Sequence, residues 1–176
     1  IGTGYLYADW KSQIAYTTPN MNGFQATVGV TQAWNSLSIT EDSNGDALDA
    51  TGTAGKGKMP TLEAKASYSW TGDVAGKVWA EALSSRYETT AEGRVRGNAW
   101  GLGANVNVAG FGLVGYYYDG KGVGTTGLGL GALDNAAKRR DSDGYFVQAT
   151  YVLPTTTKVG VSYGRSDLDK NSSETA

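Results

Sequence analysis

Residues 24–34 read FQATVGVTQAW, and this stretch decides the fold class. Over its first part, apolar side chains alternate one for one with polar residues or glycine. The apolar members are Phe24, Ala26, Val28 and Val30, and the members between them are Gln25, Thr27, Gly29 and Thr31. Because successive side chains of a β-strand point to opposite faces, this two-residue period predicts a strand with one apolar and one polar face.

The same alternation recurs along the chain and predicts eight strands in all. The clearest further copies lie in ranges 61–70, 99–109, 145–153 and 157–164, and weaker copies lie in ranges 11–18, 74–87 and 111–119. Short turns at 19–23, 72–73, 109–110 and 154–156 alternate with long polar stretches at 35–60, 88–95 and 120–143. The chain is therefore predicted to be all-β, one domain of antiparallel up-and-down strands with tight turns at one end and long external loops at the other.

The composition excludes several functional classes. The 176 residues carry a formal net charge of −2 and include no histidine and no cysteine. Cys/His zinc sites, thiol nucleophiles, disulfides and imidazole bases are thereby excluded, so we predict that the protein is not an enzyme. The nearly balanced charge indicates no nucleic-acid partner. No apolar run reaches the ~18 residues of a membrane helix, whereas membrane strands alternate and need no such run.

Three features predict that hydrocarbon, and not a protein core, covers the apolar faces. These faces are built mainly from Ala, Val and Leu, and the whole chain has only three phenylalanines. Aromatic residues lie at strand ends: Phe24 to Trp34 spans about 33 Å of strand, or about 25 Å of membrane at a tilt of about 40°. The polar faces carry amides, hydroxyls and a few charges. The prediction is an antiparallel transmembrane β-barrel; a small closed barrel with an adhesive or structural role and a soluble carbohydrate-binding β-sandwich are the alternatives.

Strand parity assigns the polar side chains to the interior of the barrel and the aromatic ends to its lipid boundary. The predicted pore-lining residues are Lys11, Gln13, Gln25, Thr27, Glu63, Lys65, Lys77, Glu81, Asn105, Asn107, Gln148, Thr150 and Lys158. The predicted membrane-girdle aromatics are Tyr16, Phe24, Trp34, Tyr68, Trp70, Trp100, Tyr145, Tyr151 and Tyr163. Lysines outnumber glutamates four to two in the first set, which predicts a weak preference for anions unless pairs such as Glu63 with Lys65 or Lys77 cancel it. Trp79 shares the inward parity, and the pattern offers no explanation for it beyond a bulge or a solute-stacking role.

Three segments resemble one family. The stretch WKSQIAYTTPNMNGFQATVGV (Trp10–Val30) resembles a strand–turn–strand of the general porins of Gram-negative outer membranes. The stretches GYYYDGKG (Gly115–Gly122) and TKVGVSYG (Thr157–Gly164) resemble later strands of that family. The resemblance implies a barrel of about sixteen antiparallel strands, located in the bacterial outer membrane as a homotrimer among lipid and lipopolysaccharide. It also implies passive diffusion of ions and small hydrophilic solutes.

On this resemblance the chain is a middle portion of the barrel, incomplete at both ends, with about eight of the sixteen strands. Residues 1–9 are then expected to be the end of an inward-folded constriction loop that precedes the first strand. Lys11 is the charge expected to matter most, because a narrow throat focuses the field of a single charge.

Two loop motifs hint at ligands. Asp42, Asn44 and Asp46 offer oxygen ligands for calcium, but the glycine of this loop falls earlier than the required position and no bidentate glutamate follows at the required spacing. The glycines of range 122–127 match a dinucleotide-binding spacing, but the flanking strands alternate instead of running apolar. Solvated surface loops are the preferred interpretation of both. No cofactor is predicted, and loop calcium is kept as the alternative.

Overall fold

The computed structural model describes residues 11–41, 47–89, 93–125, 129–134 and 137–169, with only the backbone described for 36–41 and 47–54. These residues form nine strands, numbered in chain order. The strands are β1 (Gln13–Thr17), β2 (Phe24–Thr31), β3 (Ser36–Glu41), β4 (Ala47–Trp70), β5 (Val74–Thr89), β6 (Gly93–Val108), β7 (Phe111–Lys121), β8 (Asp141–Val152) and β9 (Lys158–Leu168).

The strands pair in one antiparallel sheet with the order β1-β2-β4-β5-β6-β7-β8-β9, and β3 pairs with the first half of β4. Eight strands therefore follow one another up and down, which confirms the predicted fold class. The sheet is unclosed: β1 and β9 form its two edges, and no pairing joins them among the described residues.

The turns between strands follow from residues that adopt positive φ. Ala109 (φ 47°) and Gly110 (φ 84°) join β6 to β7 in a two-residue turn. Positive φ at both central positions defines the turn type whose twist matches that of paired strands. Asn22 (φ 54°) and Gly23 (φ 96°) have the same combination before β2. The short turns expected from the sequence are thus confirmed at these two places.

The long polar stretches depart from the expectation of irregular external loops. Most of range 35–60 forms β3 and the first half of β4. Range 88–95 consists largely of the ends of β5 and β6, which pair as far as Thr89 and Gly93. In these strand ends, apolar and polar residues do not alternate regularly. Backbone hydrogen bonds still pair the strands there, but neither face of the sheet has to be apolar. The sequence signal for a strand is weakest there.

The two faces of the sheet have opposite character. We call the face that carries Val28, Leu62 and Val161 the apolar face and the face that carries Glu63 and Gln148 the polar face. The exposed fractions of Val28, Leu62 and Val161 are 58%, 57% and 72%. No second sheet packs against them within the described part of the chain. The architecture is therefore not the packed β-sandwich that was one alternative.

Aromatic side chains form two rows on the apolar face, one near the tight turns and one near the opposite, loop-side end. The turn-side row comprises Tyr16, Phe24, Tyr68, Trp70, Phe111 and Tyr151, and the loop-side row comprises Trp100, Tyr117, Tyr145 and Tyr163. Neighbouring rings contact one another: the centroids of Phe111 and Tyr151 are 4.3 Å apart, and those of Trp100 and Tyr117 are 5.7 Å apart. Eight of the nine aromatics predicted for a girdle lie in these rows.

Trp34 is the exception, and its predicted place among the girdle aromatics is wrong. Its side chain is only 8% exposed and packs with Tyr87 and Leu133. The prediction extended the parity of β2 beyond Thr31, where the strand ends. Strand parity applies only while the chain stays extended.

Across the described ranges, no helix combines the length and the apolar character that spanning a bilayer demands.

Candidate functional site

Cross-strand register places the predicted polar residues on one face. In an antiparallel pair, directly opposite residues share a face. Thr27 is opposite Lys65, which is opposite Glu81 in the next strand. The same cross-strand pairs place the following predicted residues on this face: Gln13, Gln25, Glu63, Lys77, Asn105, Asn107, Gln148, Thr150 and Lys158. Lys11, just before β1, reaches the same face through its contact with Glu63.

The charges at the middle of the polar face are paired. The Lys11 ammonium contacts the Glu63 carboxylate, and both side chains are almost fully buried. The Lys65 Nζ lies 3.2 Å from Glu81 Oε2, and the Tyr116 hydroxyl donates to Glu81 Oε1 at 2.7 Å. The pairing among pore-lining charges suggested by the sequence occurs here as the ion pairs Lys11–Glu63 and Lys65–Glu81, which differ from the examples of Glu63 with Lys65 or Lys77. Each glutamate pairs with a lysine from a different strand or segment, so these four charges largely cancel.

Lys77 and Lys158 remain as the unbalanced charges of this set. Neither ammonium has a carboxylate within ion-pair distance among the described residues. Both lie toward the tight-turn end, where Lys158 and Asn107 line one shallow recess. Asp73 lines the same recess, so these charges cancel at mid-height and comprise two lysines and one aspartate near the turns.

Trp79 has a structural explanation that the sequence pattern did not supply. It is directly opposite Gly103, and a Cβ at that position would overlap the indole. The centroid of Trp79 is 6.4 Å from that of Tyr116, which is 5.7 Å from that of Phe146. Lys65 Nζ lies 5.7 Å from the Trp79 centroid, a cation–π distance. The signal that could have revealed this arrangement is the glycine at the facing position of β6.

The connection between β7 and β8 folds back over the loop-side end of the polar face. Val123 packs with Leu83 and Ala99, and Leu133 packs with Trp34 and Tyr87. The Ser142 Oγ of β8 donates a hydrogen bond to the Gly124 carbonyl at 3.0 Å, which attaches the folded-back segment to that strand. The Gly122 amide donates to the Arg140 carbonyl at 2.8 Å and closes the two ends of the segment on each other. We call the described residues 122–125, 129–134 and 137–140 the returning segment.

The returning segment corrects the expectation that range 120–143 is an external loop. The sequence did contain a signal: Leu83 and Tyr87 are apolar residues at polar-face positions of β5. Such residues need cover, and the Val, Ala and Leu residues of the returning segment supply it. The constriction loop expected at residues 1–9 lies outside the described residues.

The proposed calcium ligands Asp42, Asn44 and Asp46 also lie outside the described residues. Within the described part of the chain, no group of three or more Asp or Glu side chains is arranged to hold a metal ion.

The arrangement of faces defines a class of protein. A single up-and-down antiparallel sheet with an uncovered apolar face, aromatic rows at both of its ends and a polar opposite face is part of a transmembrane β-barrel. The family model of the Gram-negative porins matches residues 1–176, so the chain belongs to the Gram-negative porins. Its location is the bacterial outer membrane. Comparisons with curated proteins and with solved structures find no match.

Proposed function

We propose that the polar face lines a water-filled channel through which ions and small hydrophilic solutes diffuse passively. One observation carries this proposal. The ion pairs Lys11–Glu63 and Lys65–Glu81 lie on the polar face of the sheet, whereas the other face of the same sheet is apolar and uncovered. In a barrel that spans lipid, charged side chains belong on the water-filled side. Porin family membership supports the same function.

The channel is proposed to have a weak preference for anions. The paired charges cancel at mid-height, and near the turns Lys77 and Lys158 outnumber Asp73. Fixed positive charge on a pore wall raises the local concentration of anions and lowers that of cations. Lys11 adds no net charge to the pore in this arrangement, because Glu63 neutralises it, so the special role predicted for Lys11 is not part of this proposal.

The proposed assembly is a homotrimer surrounded by outer-membrane lipid and lipopolysaccharide. Family membership supports this assembly, and the aromatic rows of the apolar face supply contacts with both membrane interfaces. A trimer predicts that the detergent-solubilised porin has three times the protomer mass and dissociates on heating. A monomeric mass under the same conditions would contradict the assembly and leave the channel proposal standing.

The test of the channel is planar-bilayer recording on the complete porin. We expect stepwise conductance in symmetric salt and, in a potassium chloride gradient, a reversal potential of the sign that indicates excess chloride permeation. A folded, membrane-inserted protein without conductance would overturn the channel and favour the adhesive or structural barrel. A cation-selective reversal potential would overturn only the charge argument.

Glu81→Gln is expected to increase anion selectivity. The substitution keeps a hydrogen-bonding partner for Tyr116 but removes the charge that neutralises Lys65, which is one-third exposed. The reversal potential in a salt gradient should shift by several millivolts toward the chloride potential. Lys77→Gln should shift it in the opposite direction because it removes an unpaired cation.

Arg165→Gln is the control for both substitutions. Arg165 is exposed, lies on the apolar-face parity of β9 and pairs with Asp167. Its loss should leave the reversal potential unchanged. Equal shifts for all three variants would contradict the assignment of Glu81 and Lys77 to the pore.

A further inference from the structure

Three aromatic side chains lie next to one another on the polar face of the sheet. We call Trp79 of β5, Tyr116 of β7 and Phe146 of β8 the inner aromatic cluster. The ring planes of Trp79 and Tyr116 differ by 18°, and those of Tyr116 and Phe146 differ by 28°. Tyr116 is 4% exposed, whereas Trp79 and Phe146 are both partly exposed. The inner aromatic cluster therefore presents two partly open rings to the interior of the proposed channel.

Glycines of β6 make room for the inner aromatic cluster. A Cβ at Gly103 would overlap the Trp79 indole, and a Cβ at Gly101 would overlap the Tyr116 hydroxyl. The Tyr116 hydroxyl is also fixed by its hydrogen bond to Glu81 Oε1 at 2.7 Å. Both rings therefore pack closely over the backbone of β6 and are held at defined positions on the channel wall.

Lysines flank Trp79 on both sides along the strands. On the loop side, Lys65 Nζ lies 5.7 Å from the Trp79 centroid, and it is paired with Glu81 at 3.2 Å. On the turn side, Lys77 precedes Trp79 by two residues on the same face of β5 and is partly exposed. No described carboxylate lies within ion-pair distance of Lys77, and the residue directly opposite it is Asn105. The ammonium of Lys77 is therefore the positive charge beside Trp79 that no carboxylate in the described chain neutralises.

An open aromatic ring beside an unpaired ammonium suits a planar aromatic carboxylate. Aromatic rings attract one another in offset or edge-to-face arrangements, and charge strengthens the hydrogen bond from an ammonium to a carboxylate. Side chains two residues apart on a strand are separated by about 7 Å. One benzoate ion bridges that gap when its ring contacts Trp79 and its carboxylate accepts from Lys77. A neutral sugar fits less well, because the polar groups on the loop side of Trp79 already bond to one another.

We propose that Trp79 and Lys77 form a binding site for planar aromatic carboxylates on the channel wall. The ring of the ligand stacks on Trp79, the Lys77 ammonium donates to the carboxylate, and the Asn105 amide supplies a second donor from the facing strand. Tyr116 and Phe146 support the indole from the side. This inference rests on the proposed function, because it names one class of solute within the water-filled channel.

The test measures binding of benzoate to the complete, folded porin in detergent by saturation-transfer NMR. Trp79→Leu should lower the affinity at least about threefold because it removes the ring contact, and Trp79→Phe should keep it within about twofold because a ring remains. Lys77→Gln should lower the affinity at least about fivefold because it removes a charge-assisted hydrogen bond. Heat-dependent gel migration checks that each variant is folded. Unchanged affinity in folded Trp79→Leu or Lys77→Gln would overturn the proposal.

Two matched substitutions control for general effects. Trp100 is 44% exposed on the apolar face, so Trp100→Leu removes a tryptophan that benzoate in the channel does not reach. Lys158 of β9 is another unpaired lysine of the polar face, four strands away from β5. Lys158→Gln should change the affinity less than about twofold in 0.15 M salt, because that separation exceeds the screening length of about 8 Å. A loss in Lys158→Gln as large as that in Lys77→Gln would contradict a site and indicate attraction by the total charge of the pore.

Three further ligands identify the class that binds. Cyclohexanecarboxylate has the charge without the aromatic ring, and benzamide has the ring without the charge. Each should bind the wild-type porin at least about threefold more weakly than benzoate. Methyl glucoside should bind more weakly still. Equal binding of cyclohexanecarboxylate would refute stacking, equal binding of benzamide would refute the role of Lys77, and tighter binding of the glucoside would assign the inner aromatic cluster to sugars.

Conductance separates this proposal from the channel. In planar bilayers, benzoate should reduce the chloride current through the wild-type porin more than the current through Trp79→Leu. A porin that binds benzoate through Trp79 and Lys77 but conducts no ions would refute the channel and leave the site intact. A conducting wild-type porin that binds benzoate no better than Trp79→Leu would refute the site and leave the channel intact.

Discussion

Val147→Arg is expected to destabilise the fold in a lipid bilayer by at least about 1 kcal/mol, because the cost of an arginine on the lipid face of a barrel rises from about 0–1 kcal/mol at the interfaces to about 2–4 kcal/mol at the midplane. Val147 lies on the apolar face of β8 between Tyr145 of the loop-side row and Tyr151 of the turn-side row, and it is 49% exposed. A guanidinium there lies on the hydrocarbon side of the loop-side aromatic row, beside Tyr163 of β9. Denaturant titration of the complete porin in phospholipid vesicles, followed by tryptophan fluorescence, measures the change.

Gln148→Arg is the matched control, one residue further along the same strand. Gln148 lies on the polar face opposite Val114 and Ser162. If water covers that face, the new arginine stays hydrated, the folding free energy changes by less than about 1 kcal/mol, and the channel becomes more selective for anions. Equal costs for the two substitutions, or a larger cost for Gln148→Arg, would show that the assignment of lipid and water to the two faces is reversed or wrong.

Leu133→Asp is expected to release the returning segment from the polar face. Leu133 is 1% exposed and packs with Trp34 and Tyr87. A carboxylate in this cluster loses the apolar contacts and has to be hydrated, which together cost at least about 3 kcal/mol. Release of the segment widens the channel at its loop-side end, so single-channel conductance should rise. Trypsin should cut faster after Lys138 and Arg139.

Leu133→Met provides the comparison, because a swap that conserves volume and hydrophobicity is tolerated in a packed cluster. Its conductance and cleavage rate should match those of the wild type. Unchanged conductance in Leu133→Asp, together with faster cleavage, would mean that the returning segment does not narrow the pore. Unchanged cleavage would mean that the packing around Leu133 does not hold the segment.

Much of the sheet could be predicted from alternation because that signal is local. Each strand that spans the membrane has to present one face to hydrocarbon, so Val28 and Val147 point one way and Thr27 and Gln148 the other in both the prediction and the structure. The same argument failed where no face meets hydrocarbon. The extension of the sheet into β3 and the first half of β4 and the burial of Trp34 both lie beyond the apolar rows.

The candidate site was likewise predictable only in part. Parity alone brought the lysines and glutamates to one face, but it could not choose among partners on different strands. Lys11 and Glu63 are separated by 52 positions in sequence, and their contact depends on how β1, β2 and β4 are registered. Only the assembled sheet shows which charges are adjacent.

The sequence by itself determined the fold class, the family and the face on which each side chain of a membrane strand lies, because all three follow from a two-residue period and short motifs. The tertiary structure alone decided which charges form ion pairs and which charges stay unpaired. It also decided that the chain between β7 and β8 turns inward. Register and packing depend on residues far apart in the chain, and a repeating local pattern carries no information about which distant segment comes next to it.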